Sequence, residues 1–113
     1  MAERDTMKEL SNSACIVGVA ESDEMGVLPH KSQMALHLEA ITNAVSDAGL
    51  KVGDVDGIFT AGAHSPALLG EALGIQPRYV DGTSVGGCSF MLLVEHAVAA
   101  LHHRLCDVAV ISH

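Results

Sequence analysis

Residues 79–111, YVDGTSVGGCSFMLLVEHAVAALHHRLCDVAVI, hold the pattern that decides the fold. A short segment at 78–81 leads through a glycine-rich turn into a long helical pattern at 89–105, and a β-branched segment follows at 107–111. The helical pattern has apolar side chains at the spacing of one helix face: Phe90, Leu93, Val94, Ala97, Leu101 and Leu105. Strand, helix and strand in this order predict two parallel strands joined by a right-handed crossover.

The same alternation extends toward the amino terminus. Residues 14–20 form a continuous, β-branched apolar run, which predicts a strand buried on both faces. After a loop at 21–31, apolar spacing predicts a helix over 32–48. A strand is predicted over 55–60 and a helix over 65–74, with proline in its first turn. The order β-α-β-α-β-α-β predicts an α/β fold with a mainly parallel sheet.

Composition fits one globular domain. The chain has 113 residues, of which 49 % are hydrophobic and 18 % charged, and its formal net charge is −8. The hydrophobic content excludes simple disorder, and the negative charge argues against a nucleic-acid partner. No apolar run approaches the ~20 residues of a membrane-spanning helix. We expect a disordered arm over 1–12 and one incomplete domain over 13–113, because a chain of this kind normally continues after its last strand.

Cysteine usage predicts a cytoplasmic, reducing setting. Cys15, Cys88 and Cys106 are widely spaced and form no C-x-x-C pair, which argues against disulfide and zinc sites. The first ten residues mix charges and lack the apolar core of a signal peptide.

Cys88 is the candidate nucleophile. It lies in a glycine-rich turn at a predicted helix start, where the helix dipole favours a thiolate. The adjacent backbone N–H groups, including those of Gly87 and Ser89, are placed to stabilise an oxyanion. The alternative is that Cys88 is a small, inert residue that fits a tight turn.

A second motif predicts different chemistry. Residues 82–86, Gly-Thr-Ser-Val-Gly, match the G-x-S-x-G elbow of serine hydrolases, with Ser84 as nucleophile. The remaining triad members would be Asp107 and His113, one at each end of a single strand. That arrangement is poor, so the hydrolase hypothesis ranks last.

Seven histidines raise the question of a metal site. We interpret His102, His103 and Arg104 as a solvated helix end rather than part of a ligand set, and we predict no metal site. Cys106 is expected to be buried, since it leads into a buried strand. His64 is a candidate for lining a pocket, since its loop faces the same sheet edge as the Cys88 turn. Three polar side chains of the long helices are interpreted as surface residues: His37, Glu95 and His96.

Four parts of the chain, taken together, resemble the amino-terminal part of the thiolase family. They lie within residues 14–22, 39–58, 69–74 and 85–111. The branch is that of acetyl-CoA acetyltransferases and sterol-carrier-type lipid-transfer thiolases. The resemblance implies the layered thiolase fold, whose two halves are similar, and this chain matches part of the first half.

The resemblance also implies an activity and partners. It implies an acyl-CoA C-acyltransferase that performs Claisen condensation or thiolytic cleavage through a cysteine acyl-enzyme. The CoA thioester is the substrate, no cofactor is covalently bound, and the isolated fragment is expected to be inactive. The implied partners are identical or related thiolase-like subunits in an oligomer. No CoA-binding residue can be assigned, because the loop that holds much of the CoA has no counterpart here.

The nucleophile loop departs from the family pattern. Typical thiolases read Asn-x-x-Cys-x-Ser/Thr-Gly, whereas here the Asn is missing and Ser89-Phe90-Met91 follows the cysteine. Alignment along the helix places the family nucleophile at Cys88 or at Gly87. The alternative function is therefore a non-catalytic or aldolase-type thiolase-like subunit that acts as a dimerisation partner.

Overall fold

The computed structural model describes residues 10–62 and 64–113, so most of the predicted arm lies outside the described residues. Its elements are α1 (Gln33–Asp47), β1 (Gly57–Ala61), α2 (Pro66–Leu73), β2 (Tyr79–Thr83), α3 (Ser89–His102) and β3 (Ala109–Ser112). The α/β class and the parallel sheet are confirmed. No helix in these ranges is long and apolar enough to cross a membrane.

The sheet has three parallel strands in the order β2-β1-β3. All five residues of the central strand β1 are buried. Successive side chains of a strand point to opposite faces, so Phe59 packs with Leu93 of α3 while Ile58 packs with Ile41 and Leu69 of α1 and α2. The sheet therefore lies between a layer formed by α3 and a layer formed by α1 and α2.

Residues 14–20 do not form the predicted buried strand. Ile16 is 80 % exposed and Val19 is 73 % exposed, and no residue of this run is in a strand. The run lies against α1 instead: the Val19 N–H donates to the Asp47 carboxylate at 3.0 Å. Gly18 lies so close to the Ala44 carbonyl oxygen that a Cβ would not fit. The prediction was wrong because an apolar run becomes a strand only when a partner strand takes up its backbone groups.

Local side chains set the helix ends. The Ser32 hydroxyl accepts the Ala35 N–H at 3.1 Å, and Ser65 accepts the Leu68 N–H at 3.1 Å. Gly74 ends α2 with a φ of 75°, which favours glycine. These caps place the helix boundaries close to those predicted from the sequence.

Asp56 joins the amino ends of the strands. Its carboxylate accepts the Asp107 N–H at 2.9 Å and the Val108 N–H at 2.8 Å. The Arg78 guanidinium donates to the same carboxylate and to Asp107, at 3.3 Å in each case. One carboxylate therefore connects the residues that precede all three strands, and we call this end of the sheet the amino edge.

Candidate functional site

The Cys88 turn lies at the opposite end, the carboxyl edge, between β2 and α3. Cys88 is exposed, and its Sγ donates to the Val85 carbonyl oxygen at 3.4 Å. Ser89 is buried, and its hydroxyl accepts the Val85 N–H at 3.1 Å and donates to the Gly86 carbonyl at 2.7 Å. The Ser89 side chain therefore fixes the shape of the turn that presents Cys88.

The backbone of this turn is partly occupied. The Ser89 N–H donates to the Gly86 carbonyl oxygen at 3.1 Å, so it is not free to bind an oxyanion in this conformation. Gly87 is exposed in the turn. The hydrogen-bond partner of the Cys88 Sγ atom is therefore a neutral backbone carbonyl.

A second group of polar residues meets at the carboxyl edge and forms what we call the histidine cluster: His37, His64, Ser112 and His113. The Nδ1 atom of His37 lies 2.5 Å from the Oγ atom of Ser112, and both residues are buried. The ring of His64 meets the His37 ring edge-on, with centroids 5.7 Å apart. The His113 ring packs edge-on against Phe90.

Burial governs the charge of His37. Removal from water lowers the pKa of the His37 imidazole, and the nearby rings of His64 and His113 lower it further. His37 is therefore neutral near pH 7, and a neutral imidazole has one nitrogen that accepts a hydrogen bond.

His64 contributes an unusual atom to the cluster. Its Nε2 is buried and has no hydrogen-bond partner among the described residues. Buried polar atoms nearly always have a hydrogen-bond partner, so an atom of this kind marks a place where a ligand group can supply the missing hydrogen bond.

The expectation that His37 is a surface residue was wrong. It lies four residues before Ile41 on the buried face of α1, and Ser112 on β3 provides the hydrogen bond that burial requires. Glu95 and His96 are exposed as predicted. The His96 Nδ1 atom lies 2.6 Å from the Asp81 carboxylate. The helical spacing around Ile41 could have identified His37 as buried.

The other cysteines differ from expectation in one case. Cys106 is fully buried, as predicted, and burial raises the pKa of its thiol. Cys15 was expected in a buried strand but is exposed, because residues 14–20 do not join the sheet.

The rings of His102 and His103 meet edge-on at the end of α3. No group of three or more ligand side chains in the described ranges could hold a metal ion.

The fold does not assemble the hydrolase triad. Ser84 follows β2 at the carboxyl edge, whereas Asp107 precedes β3 and pairs with Arg78 at the amino edge. In a parallel sheet these are opposite ends, so Asp107 cannot act on Ser84 through a histidine.

A cavity of about 570 Å³ borders the histidine cluster. It lies between residues 14–20, α1, α3 and β3, and its walls are mainly small aliphatic side chains. Ser112 and His113 are the polar side chains where β3 ends. A smaller cavity of about 360 Å³ is bordered by His113 and by the loop that follows residue 20. The cluster therefore combines polar groups with an apolar space, as ligand sites commonly do.

No protein-family profile matches the sequence. The chain is 33 % identical over 104 residues to the 17-hydroxy-3-oxo-4-pregnene-20-carboxyl-CoA lyase of Mycobacterium tuberculosis, with 89 % of this chain and 27 % of that protein covered. It is 30 % identical over 107 residues to a steroid side-chain-cleaving aldolase of Thermomonospora curvata, with 92 % and 27 % covered. The chain thus spans about a quarter of the length of these curated relatives.

Two solved structures are also similar to the chain. The Ltp2-ChsH2(DUF35) aldolase matches with a TM-score of 0.73 at 27 % identity, covering 85 % of this chain and 26 % of that one. A monomeric SCP2-thiolase like protein type 1 from Mycobacterium smegmatis matches with a TM-score of 0.69 at 22 % identity, covering 85 % and 22 %. The curated relatives are a lyase and an aldolase, so they do not identify the chain as a thiolase. The chain therefore has the fold of this SCP2-thiolase like protein.

Proposed function

We propose that the chain is part of an aldolase-type thiolase-like subunit, which cleaves a carbon–carbon bond in a CoA thioester by a retro-aldol reaction. The observation that carries this proposal is the 33 % identity to a CoA-thioester lyase over 89 % of the chain. It supports the alternative from the sequence, the aldolase-type subunit, over acyl transfer.

The Cys88 turn is compatible with this chemistry. A retro-aldol reaction needs a base that removes a hydroxyl proton, and the electrons of the broken bond move toward the thioester carbonyl. It needs no cysteine acyl-enzyme. The Cys88 thiol donates to Val85, and the turn lacks the Asn and Gly of the thiolase nucleophile loop.

We also propose that the subunit works in an oligomer. Within the described residues β2 pairs with β1 alone, so its outer edge has unpaired backbone groups. Val80 on β2 is exposed by 40 %, and Met91 on α3 is exposed by 73 %. This apolar edge suits a second thiolase-like subunit or a subunit of another kind. The cytoplasmic location stays a prediction.

The test is the dependence of cleavage on free CoA. The protein that carries this chain, with its partner subunit, is incubated with the thioester for which the mycobacterial relative is named, and products are separated by mass spectrometry. We expect a ketone and a shortened acyl-CoA without added CoA, and Cys88→Ala should keep at least half of the rate. Cleavage that requires free CoA and acylates Cys88 would instead establish thiolase chemistry.

A further inference from the structure

The His37–Ser112 pair has the geometry of a proton relay. The two atoms lie 2.5 Å apart, and both residues are buried in the described chain. Because the pKa of His37 is lowered by burial, its ring is neutral near pH 7, and its Nδ1 can accept the hydrogen of the Ser112 hydroxyl. The serine oxygen then keeps lone pairs for a hydrogen bond from another group.

Ser112, whose oxygen keeps these lone pairs, lines a cavity. Ser112 is the last residue of β3 and lines the apolar cavity of about 570 Å³, which runs along β3 from Val108 to His113. Ligands of open parallel sheets bind outside the carboxyl ends of the strands. The titratable groups that act on His37 are His64, on the loop after β1, and His113, after β3. The unpartnered Nε2 of His64 is an independent sign that a ligand group completes this site.

Building on the proposed function, we infer that Ser112 and His37 form the acid–base relay of the carbon–carbon cleavage. The substrate hydroxyl gives its proton to Ser112 Oγ while Ser112 gives its own proton to His37 Nδ1. The electron pair of the O–H bond forms the ketone, the adjacent carbon–carbon bond breaks, and its electrons form the thioester enolate. The proton returns from His37 through Ser112 to the enolate carbon, so the relay ends unchanged.

In this assignment Ser112 is the catalytic residue, since it contacts the substrate, and His37 acts through it. Acid–base groups of this kind contribute roughly 10²- to 10⁴-fold to a rate. Ser112→Ala and His37→Ala should therefore lower kcat by at least about 100-fold, with KM within about threefold. Ser112→Thr keeps the hydroxyl and should restore most of kcat.

The experiment compares these variants in the cleavage assay, in H₂O and in D₂O. His103→Ala, an exposed histidine at the end of α3, is the matched control and should keep wild-type kcat. Wild type and Ser112→Thr should be slower in D₂O because protons move in the rate-determining step.

The outcomes separate the two proposals. A wild-type protein that cleaves the substrate, together with a Ser112→Ala variant within threefold of its kcat, overturns the relay and leaves the proposed function standing. If Ser112→Ala does not fold, a wild-type kcat unchanged in D₂O overturns the relay instead. A wild-type protein that does not cleave overturns the proposed function and the relay with it.

Discussion

At the scale of single residues, His37 makes stability depend on pH. The native pKa of His37 is lowered below the ordinary 6.5, chiefly by burial. The stabilising contribution of the neutral ring is therefore present above pH 6.5 and is lost as the pH falls toward the native pKa. Between about pH 7.5 and pH 5.5, the urea midpoint of the wild type should fall more than that of His37→Gln.

The control for this prediction is His103→Gln, which changes an exposed ring and should keep the wild-type dependence on pH. Equal pH dependence in the wild type and in His37→Gln would contradict a lowered pKa at His37.

The three cysteines should react with iodoacetamide in a definite pattern. Cys15 and Cys88 are exposed, whereas Cys106 is buried, and burial raises the pKa of its thiol, with Asp56 and Asp107 adding to the rise. Peptide mass spectrometry should find Cys15 and Cys88 modified in the native protein and Cys106 modified only in denaturant. Between the exposed pair, Cys88 is expected to react first because it lies at a helix start. Native labelling of Cys106 at the rate of Cys88 would refute the buried placement.

Two single residues show which features of the site could be predicted from the sequence and which could not. The position of Cys88 at a helix start follows from local pattern, since glycine, cysteine and an apolar helix are adjacent in the chain. The burial of His37 could be inferred from its spacing to Ile41, but its hydrogen bond to Ser112, 75 positions away, is contained in no local pattern. The Cys88 turn could therefore be predicted, whereas the histidine cluster required the folded chain.

At the scale of elements, the Asp56 carboxylate should stabilise the amino edge. Asp56→Ala removes the charged acceptor of the Asp107 and Val108 N–H groups and should lower the free energy of unfolding by about 1–3 kcal/mol. Asp107→Ala is the matched control, because its side chain is 74 % exposed and pairs with Arg78 at 3.3 Å, so it should cost less than about 1 kcal/mol. Equal losses in chemical denaturation would show that the backbone contacts of Asp56 contribute nothing.

The elements themselves were predictable wherever local signals agreed. Ser65, Pro66 and Gly74 mark the ends of α2 in the sequence and in the structure. Residues 14–20 have strand composition but lie outside the sheet, because strand formation requires a distant partner and β3 pairs with β1 alone in the described residues. Composition indicates which segments favour an extended backbone, but it does not indicate which strands pair with each other.

At the scale of the whole molecule, the sheet should drive self-association. Within the described part of the chain, β2 and β3 each pair with β1 alone, so both outer edges have unpaired backbone groups. Size-exclusion chromatography with light scattering should therefore show dimers or larger species of the isolated chain. A compact monomer that melts cooperatively would contradict this expectation.

The length of β1 has a consequence for engineering. Its five residues, at about 3.3 Å each, hold the Arg78 and Asp107 charges roughly 16 Å from the histidine cluster. That distance is about twice the Debye length of ~8 Å at physiological ionic strength, and both charged side chains are more than half exposed. Salt therefore screens the charges at one end of the sheet from the groups at the other end. Charge reversals among these exposed side chains can be used to change solubility without changing the pKa values of the imidazoles.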